Sequence, residues 1–165
     1  MGALRGKSLS EATQLLESGV NPNCVDGEGK TPLIKASSCG LSDLVELLLR
    51  FGASTGAKTK AWGKAGGSTA LHVACEGGFP EVVRALLAGK AEVNITDARG
   101  NPPLYAALTK WSTTRRHLYM DITEQMIRAK ALVTVRNKSN HTASDLAKRT
   151  KDDKVVQLIT AAVKL

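Results

Sequence analysis

The feature that most constrains the fold is an internal repeat of about 33 residues. The segment TALHVACEGGFPEVVRALLAGKAEVN, which starts at Thr69, aligns with TPLIKASSCGLSDLVELLLRFGA, which starts at Thr31. Degenerate copies follow at GNPPLYAAL, where Pro102 takes the threonine position, and at NHTASDLA, where Thr142 takes it. The steps between these four positions are 38, 33 and 40 residues, so we predict insertions of about five and seven residues in a 33-residue unit. Units of this kind stack into one continuous core.

Each unit is predicted to contain two short helices joined by a turn. Thr31 and Thr69 suit the N-cap of the first helix, because a hydroxyl can accept a hydrogen bond from an unpaired amide there. A glycine then breaks the chain, and the apolar stripe of a second helix follows. In the first repeat Gly52 suits the end of that helix, whereas in the second repeat Gly89 precedes the aligned Lys90, which predicts a shifted cap. Gly29, Gly67 and Gly100, with Asn140 at the same place in the last unit, predict a β-turn finger before each first helix.

The motifs of the repeat carry a family resemblance. The segment TALHVA at residues 69–74 and the segment TPL at residues 31–33 closely match the T-P-L-H-x-A signature of ankyrin repeats. The chain resembles the ankyrin-repeat family over roughly residues 8–160. This resemblance implies an all-α solenoid of helix-turn-helix units with β-turn fingers, with about four to five repeats including degenerate caps. It also implies a structural role for His72, which typically bonds the adjacent finger.

We interpret residues 1–165 as a single ankyrin-repeat domain. Its predicted parts, in chain order, are an N-terminal half-repeat cap at 8–25, repeat 1 at 26–57, repeat 2 with a finger insertion at 58–96, repeat 3 with an insertion between its helices at 97–136, and a C-terminal capping repeat at 137–165.

The sequence contains no motif that points to catalysis. Metalloprotease, hydrolase and nucleotide-binding signatures are missing, and GKAGGS at 63–68 is better explained as a lengthened finger. We therefore expect no enzyme activity, no catalytic residues, no cofactor and no metal. Cys24, Cys39 and Cys75 are odd in number and form no C-x-x-C pair, which favours a reducing compartment, the cytoplasm or the nucleus. We expect Cys39 and Cys75 to be buried or half-buried structural thiols, because nothing near them would lower the pKa of a reactive thiol. No apolar run approaches the roughly 20 residues of a membrane span.

The positive charge is concentrated in the second half of the chain. The net charge is +8, and residues 96–165 carry 13 Lys/Arg against 6 Asp/Glu, whereas residues 1–95 carry 10 against 9. Such asymmetry is typical of a site for an acidic partner or for nucleic acid. A solvated basic surface explains it equally well, and the sequence leaves both interpretations open.

The two insertions carry the tryptophans of the chain. The finger insertion at 56–67 contains Trp62, and the insertion at 110–119 contains Trp111, Arg115 and Tyr119. Aromatic and arginine side chains are enriched at binding hot spots. The alternative is that the aromatic rings pack against the repeats while the arginines stay solvated, and the sequence does not decide between these roles.

The family resemblance implies a function in protein binding. Ankyrin-family proteins usually bind partners with the finger tips and the exposed side of the first helix. We therefore predict a monomeric, non-enzymatic interaction module or scaffold, whose protein partner carries an acidic segment. Its predicted partner-binding residues are Glu28, Lys30, Trp62, Ser68, Glu76, Arg99, Asn101, Lys110, Lys138, His141 and Arg149.

Two other functions remain open at this point. The basic C-terminal half is compatible with binding to nucleic acid or anionic lipid. The chain is also compatible with the substrate-recognition part of a larger protein of the ubiquitin-ligase type. Asn94 stands where members of the family can be hydroxylated, and the resemblance permits this modification without establishing it.

Overall fold

A computed structural model describes residues 2–60, 66–112 and 114–163, with side chains from residue 9 onward. Nine helices and no strands lie within these ranges. A lone helix comes first, four helix pairs follow, and a turn joins the two helices of each pair. In chain order the helices are α1 (Gly2–Glu17), α2 (Pro32–Ser38), α3 (Ser42–Arg50), α4 (Ala70–Gly77), α5 (Pro80–Ala88), α6 (Pro103–Thr109), α7 (Arg116–Arg128), α8 (Ala143–Arg149) and α9 (Asp153–Ala162).

The helices form two layers that run the length of the chain. Helices α2, α4, α6 and α8 pack in series as an inner layer, while α1, α3, α5, α7 and α9 pack in series as an outer layer. Each inner helix also packs against the outer helix of its own unit. This arrangement confirms the predicted all-α repeat solenoid.

Leucine and alanine at repeat positions form the core between the layers. Leu33, Leu71 and Leu104 occupy equivalent positions on successive inner helices, and all three are fully buried. One turn further on, Ala36 and Ala74 are buried too, and their small side chains let neighbouring inner helices approach closely. Burying a leucine stabilises the fold by about 1.5–3 kcal/mol, so the repeated leucine holds successive units together.

Threonines stand at the N-caps of three inner helices, two of which, at Thr31 and Thr69, were predicted from the sequence. The hydroxyl oxygen of Thr31 accepts a hydrogen bond from the amide of Ile34 at 3.3 Å, and that of Thr142 accepts from the amide of Asp145 at 3.1 Å. The carboxylate of Asp145 accepts in return from the amide of Thr142 at 2.9 Å, which completes a capping box. Pro102 takes the same position before α6 without a side-chain cap.

The turns follow the repeat register, with one correction to the sequence prediction. Gly40 and Gly78 adopt left-handed backbone conformations with φ of +70°, and Gly52 does so with φ of +81°. The predicted shift of the cap to Gly89 is wrong, because Gly89 has φ of −75° and Lys90 takes the left-handed position with φ of +59°. The hydrogen bonds of the turn therefore fix its geometry even where a lysine must adopt it.

The insertion at 110–119 packs back onto the preceding unit. Tyr119 is buried, and its hydroxyl donates to the carbonyl of Glu76 at 3.1 Å. The guanidinium of Arg115 donates to the carbonyl of Gly77 at 2.5 Å and lies over the Tyr119 ring. Arg116 forms an ion pair with Asp152. Tyr119 therefore packs against the repeats, as the packing alternative predicted. Arg115 stays exposed, as that alternative also predicted, and Arg116 is partly buried, but both also bond to neighbouring units, which the sequence did not predict.

The cysteines differ from the prediction at one position. Cys75 is buried in the core, and burial raises the pKa of its thiol far above the usual range. Cys39 is exposed at the end of α2, where the sequence predicted a buried or half-buried side chain. The reason is its position one residue beyond the helix, outside the apolar stripe.

Candidate functional site

A side-chain acceptor shapes each of three fingers. In the third finger, one carboxylate oxygen of Asp97 accepts from the amides of Arg99 and Asn101, both at 2.8 Å. Asp26 in the first finger and Asn137 in the last make the same pair of bonds, each at 2.9 Å. The tips are therefore held in a defined turn, as such side chains do at the start of turns.

Backbone hydrogen bonds link each finger to the next. The amide of Lys60 donates to the carbonyl of Glu28 at 3.0 Å, and the amide of Lys138 donates to the carbonyl of Arg99 at 2.9 Å. The amide of Ala98 donates to the carbonyl of Gly66 at 3.2 Å in the same way. These bonds align the fingers in one row and place Arg99 directly beside Lys138.

His72 connects the second inner helix to the third finger. Its Nδ1 accepts from the amide of Thr69 at 3.2 Å, and its Nε2 then carries the proton that it donates to the carbonyl of Asn101 at 2.9 Å. Burial lowers the pKa of this imidazole, and the bond to the Asn101 carbonyl opposes that effect. The structural role implied for His72 is confirmed by these contacts.

The fingers and the inner helices enclose a groove, which we call the finger groove. Its larger part has a volume of about 750 Å³ and lies between the last two fingers and helices α4 and α6. A second hollow of about 530 Å³ shares Glu76 with it and continues toward the insertion. Besides Glu76, the larger part is lined by Asp97, Ala98, Arg99, Asn101, Tyr105, Ala106, Thr109, Asn137, Lys138, Ser139 and His141.

The carboxylates of the groove are already engaged within the protein. Glu76 forms an ion pair with Lys110 at 3.2 Å. Asp97 accepts bonds from two backbone amides and from the side-chain amide of Asn101 at 3.0 Å. The exposed cations of Arg99 and Lys138 lie at the rim beside them. The rim is therefore suited to a negatively charged group.

The structure brings six of the predicted partner-binding residues together. Glu76, Arg99, Asn101, Lys138 and His141 line the larger part of the groove, and Lys110 lines the second hollow. The side chain of Asn101 is occupied by Asp97 and by Asn137, which donates to it at 2.8 Å. That residue therefore also positions the fingers.

The other predicted residues lie apart from the groove. Glu28 and Lys30 form an ion pair with each other at 2.7 Å in the first finger. Ser68 lies at the base of the second finger, where its backbone pairs with Thr59. Arg149 is exposed at the end of α8 and does not line the groove. Trp62 lies outside the described residues.

Sequence reasoning missed several residues that line the groove. Tyr105 forms part of its wall although most of its surface is buried, and Asp97 and Asn137 form the base of two fingers. The signal for Tyr105 was its register, because it occupies the position of His72 in the preceding unit. The signal for Asp97 and Asn137 was the matching position of Asp26 before the first finger.

The part of the chain that the structure describes was found to hold neither a candidate metal centre nor a helix that could span a membrane. They contain no group of three or more His, Cys, Asp or Glu side chains that could hold a metal ion. None of the helices in this part of the chain is long and apolar enough to cross a membrane.

Comparisons with known proteins agree with this architecture. A family model described as ankyrin repeats (3 copies) matches residues 1–97 and 57–113. The chain is 30% identical to an ankyrin repeat protein of Fowlpox virus (strain NVSL), FPV031, over 155 residues, which is 90% of the chain and 42% of that protein.

Two further relatives share shorter segments. The E3 ubiquitin-protein ligase KEG of Arabidopsis thaliana is 30% identical over 109 residues, which is 66% of the chain and 6% of that protein. The B-cell lymphoma 3 protein homolog of Mus musculus is 33% identical over 97 residues, 58% of the chain and 20% of that protein. The chain therefore spans less than half the length of these relatives. With the family model matching well over half of the residues, the chain belongs to the ankyrin-repeat family.

Proposed function

We propose that the chain is a non-enzymatic interaction module that holds an acidic segment of a partner protein in the finger groove. Ankyrin repeats are protein-interaction modules, and the finger groove is where fingers and inner helices meet. The observation that carries the proposal is that Arg99 and Lys138 lie side by side at the rim, because a backbone hydrogen bond of 2.9 Å joins their fingers.

The balance of charge in the groove favours an acidic ligand over a basic one. Glu76 is partly neutralised by Lys110, and the Asp97 carboxylate is surrounded by donors. A basic segment would have to displace these internal bonds and approach two exposed cations. An acidic segment would gain charge-assisted hydrogen bonds, which are stronger than neutral ones.

The hydrogen bonds of His72 and the burial of Cys75 support a role in binding without catalysis. Both nitrogens of His72 are used in structural hydrogen bonds. The raised pKa of Cys75 and its burial disfavour the reactive thiolate form. Neither residue is arranged to act on a ligand in the groove.

Charge reversal at the rim tests this proposal. We expect the double variant Arg99→Glu/Lys138→Glu to weaken binding to acidic peptides by about tenfold or more, because each reversal replaces attraction by repulsion. Fluorescently labelled acidic peptides and basic peptides of the same length would be titrated with the wild type and with the variant, and fluorescence anisotropy would measure the binding.

The matched control is Arg84→Glu/Lys154→Glu on the outer helices α5 and α9. Both residues are exposed, so this variant changes the net charge equally while leaving the groove intact. Equal loss of binding in both variants would show that net charge matters and the groove does not. Selection of basic peptides by the wild type would also contradict the proposal.

The similarity to a plant E3 ubiquitin-protein ligase favours a second candidate function, which is compatible with the first. The matched segment covers 66% of this chain and 6% of the plant E3 ubiquitin-protein ligase. On that basis we propose, as a second candidate, that the chain serves as the substrate-recognition part of a larger protein. Ubiquitylation of a captured partner, lost in the groove variant, would be the test.

Nucleic-acid binding is an alternative function, and titration of the chain with DNA distinguishes it from peptide binding. A steep fall of affinity for single- or double-stranded DNA with rising salt would support it.

We also propose a cytoplasmic or nuclear location, because Cys24, Cys39 and Cys75 are all unpaired. Fractionation of cells that express the tagged chain would test the location.

A further inference from the structure

Tyr105 is a buried tyrosine whose hydroxyl has no partner within the described part of the chain. Its side chain is 9% exposed, yet it does not belong to the hydrophobic core that the neighbouring Leu104 and Ala107 help to form. Its hydroxyl makes no hydrogen bond with any residue that the structure describes. A buried tyrosine hydroxyl usually finds a hydrogen-bond partner, so this one calls for an explanation.

The preceding unit shows what this repeat position does elsewhere. Tyr105 occupies the position of His72, whose Nε2 donates to the carbonyl of Asn101 in the next finger at 2.9 Å. The equivalent carbonyl for Tyr105 is that of His141, which accepts instead from the amide of Asn137 at 2.9 Å. The tyrosine therefore lacks the contact to the next finger that the histidine makes, and its hydroxyl is left available to a ligand.

The hydroxyl of Tyr105 can be reached from the finger groove. Tyr105 lines the larger part of that groove. Among the described residues, the side-chain polar atoms that are both sealed from solvent and unbonded belong to Ser37 and Gln125, so the hydroxyl of Tyr105 keeps access to solvent. Because the residue is nine-tenths buried, only a side chain that enters the groove can contact this hydroxyl.

The hydrogen-bond acceptors around the groove are already occupied. One oxygen of Asp97 and the side-chain oxygen of Asn137 each accept from two backbone amides. The side-chain oxygen of Asn101 accepts from the side-chain amide of Asn137. The carboxylate of Glu76 pairs with Lys110. A ligand that offered hydrogen-bond donors would therefore have to displace bonds within the protein.

The unoccupied polar groups of the groove are donors. The side chains of Lys138 and Ser139 line the groove and form no hydrogen bond or ion pair within the part of the chain that the structure describes. A carboxylate only accepts hydrogen bonds, so it matches these two groups and the hydroxyl of Tyr105. A phosphate would bring nearly two negative charges beside Asp97 and Glu76, so a singly charged carboxylate meets less repulsion.

We propose that the finger groove contains a carboxylate pocket at Tyr105, in which the tyrosine hydroxyl donates to a glutamate or aspartate side chain of the partner. This inference rests on the proposed function and deepens it, because it names the group of the acidic segment that enters the groove. Arg99 and Lys138 attract the segment to the rim, whereas Tyr105 distinguishes a carboxylate from a neutral amide of the same shape.

The resonance of the tyrosine ring carbon that carries the hydroxyl, Cζ, tests the pocket directly. The chain contains two tyrosines, so ¹³C labelling at tyrosine Cζ gives two resonances, which the variant Tyr105→Phe assigns. The probe is a peptide with three consecutive glutamates between Gly-Ser linkers, and its control has glutamines in their place. We expect the glutamate peptide to shift the Tyr105 resonance, and the glutamine peptide to leave it unchanged at the same concentrations.

The affinity of Tyr105→Phe provides a second measurement. This variant keeps the ring and removes only the hydroxyl, which has no described partner to lose, so its melting temperature should stay close to that of the wild type. Fluorescence anisotropy should show that its affinity for the glutamate peptide falls by about five- to tenfold, because a charge-assisted hydrogen bond is lost.

The rim variant Arg99→Glu/Lys138→Glu separates this inference from the proposed function. If the rim variant loses the glutamate peptide while Tyr105→Phe binds it as the wild type does, the proposed function stands and the carboxylate pocket is wrong. If the wild type does not bind the peptide, or if neither variant weakens binding, both are wrong. An equal shift of the Tyr105 resonance by the glutamine peptide, or tighter binding of a phosphoserine peptide of the same length, would also overturn the pocket.

Discussion

At the scale of single residues, His72 shows how one side chain couples two units. It accepts from Thr69 at the start of its own helix and donates to Asn101 in the next finger. The sequence signature was sufficient to predict this role, because the residue and its register are both part of the repeat. The tautomer follows from the structure alone, since the amide of Thr69 makes Nδ1 the acceptor and the carbonyl of Asn101 makes Nε2 the donor.

The lowered pKa of His72 predicts a loss of stability in mild acid. The unfolded chain binds a proton at this imidazole near the ordinary value of about 6.5, whereas the folded chain resists protonation because the ring is buried. Stability from this group is therefore complete above about pH 6.5 and is lost as the pH falls through the lowered folded pKa. Urea unfolding between about pH 7.5 and pH 5.5 would measure this fall.

The variant His72→Asn is the control for that experiment. It should cost about 1–3 kcal/mol at neutral pH, because buried partners on Thr69 and Asn101 lose hydrogen bonds. Its free energy of unfolding should vary less with pH over the same range than that of the wild type. An equal pH dependence in both proteins would assign the effect to other groups.

At the scale of elements, the turns show a conflict between residue type and backbone geometry. Gly52 and Lys90 close equivalent outer helices in the same left-handed conformation. A side chain with a Cβ is strained there, whereas glycine is not. The local pattern predicted a shift of the cap to Gly89, but the closing bond from Ala91 to Leu86 prevents it.

We therefore expect Lys90→Gly to stabilise the protein by about 0.5–1 kcal/mol through relief of this strain. The reciprocal change Gly52→Ala should destabilise it by about 1 kcal/mol, since an added Cβ meets no atom within 4 Å and strain alone acts. Thermal unfolding of both variants would measure these changes. Destabilisation by Lys90→Gly would mean that the lysine side chain contributes a contact of its own.

The sequence predicted the elements better than their long-range contacts. Thr31 acts as a cap through a bond within three residues, so local reasoning identified it, and Thr142, which the sequence only placed in register, caps α8 in the same way. The roles of Arg115 and Arg116 depend on partners that lie 36 or more positions away, at Gly77 and Asp152. No local pattern distinguishes such an arginine from one that contacts only solvent, so the sequence could not predict these two contacts.

At the scale of the whole molecule, the stack makes stability a property of neighbouring units. Asp152 lies at the C-terminal end, where it caps α9 by accepting from the amide of Lys154 at 3.1 Å and pairs with Arg116 on α7. This ion pair lowers the pKa of Asp152 to about 2. Loss of this residue should therefore weaken the last unit first.

We expect Asp152→Ala to destabilise the last unit by about 1 kcal/mol through loss of the cap. Amide hydrogen exchange should become faster in α8 and α9 while α4 and α5 remain protected, because the units unfold from the ends. Asp153→Ala is the matched control, since it removes the same charge one position later. Uniformly faster exchange along the chain would show that the array unfolds as one unit.

The finger row has a consequence for how such a protein changes over generations. The bonds that join Lys60 to Glu28 and Lys138 to Arg99 use backbone atoms only, so they place no demand on the side chains of these four residues. Only the glycines of the fingers are constrained, since a Cβ at Gly29 or Gly67 would lie within 3 Å of the next finger. Mutation can therefore exchange the chemistry of the tips while the spacing between them is inherited unchanged. A lineage that duplicates and edits these units can acquire new partners without having to evolve a new scaffold.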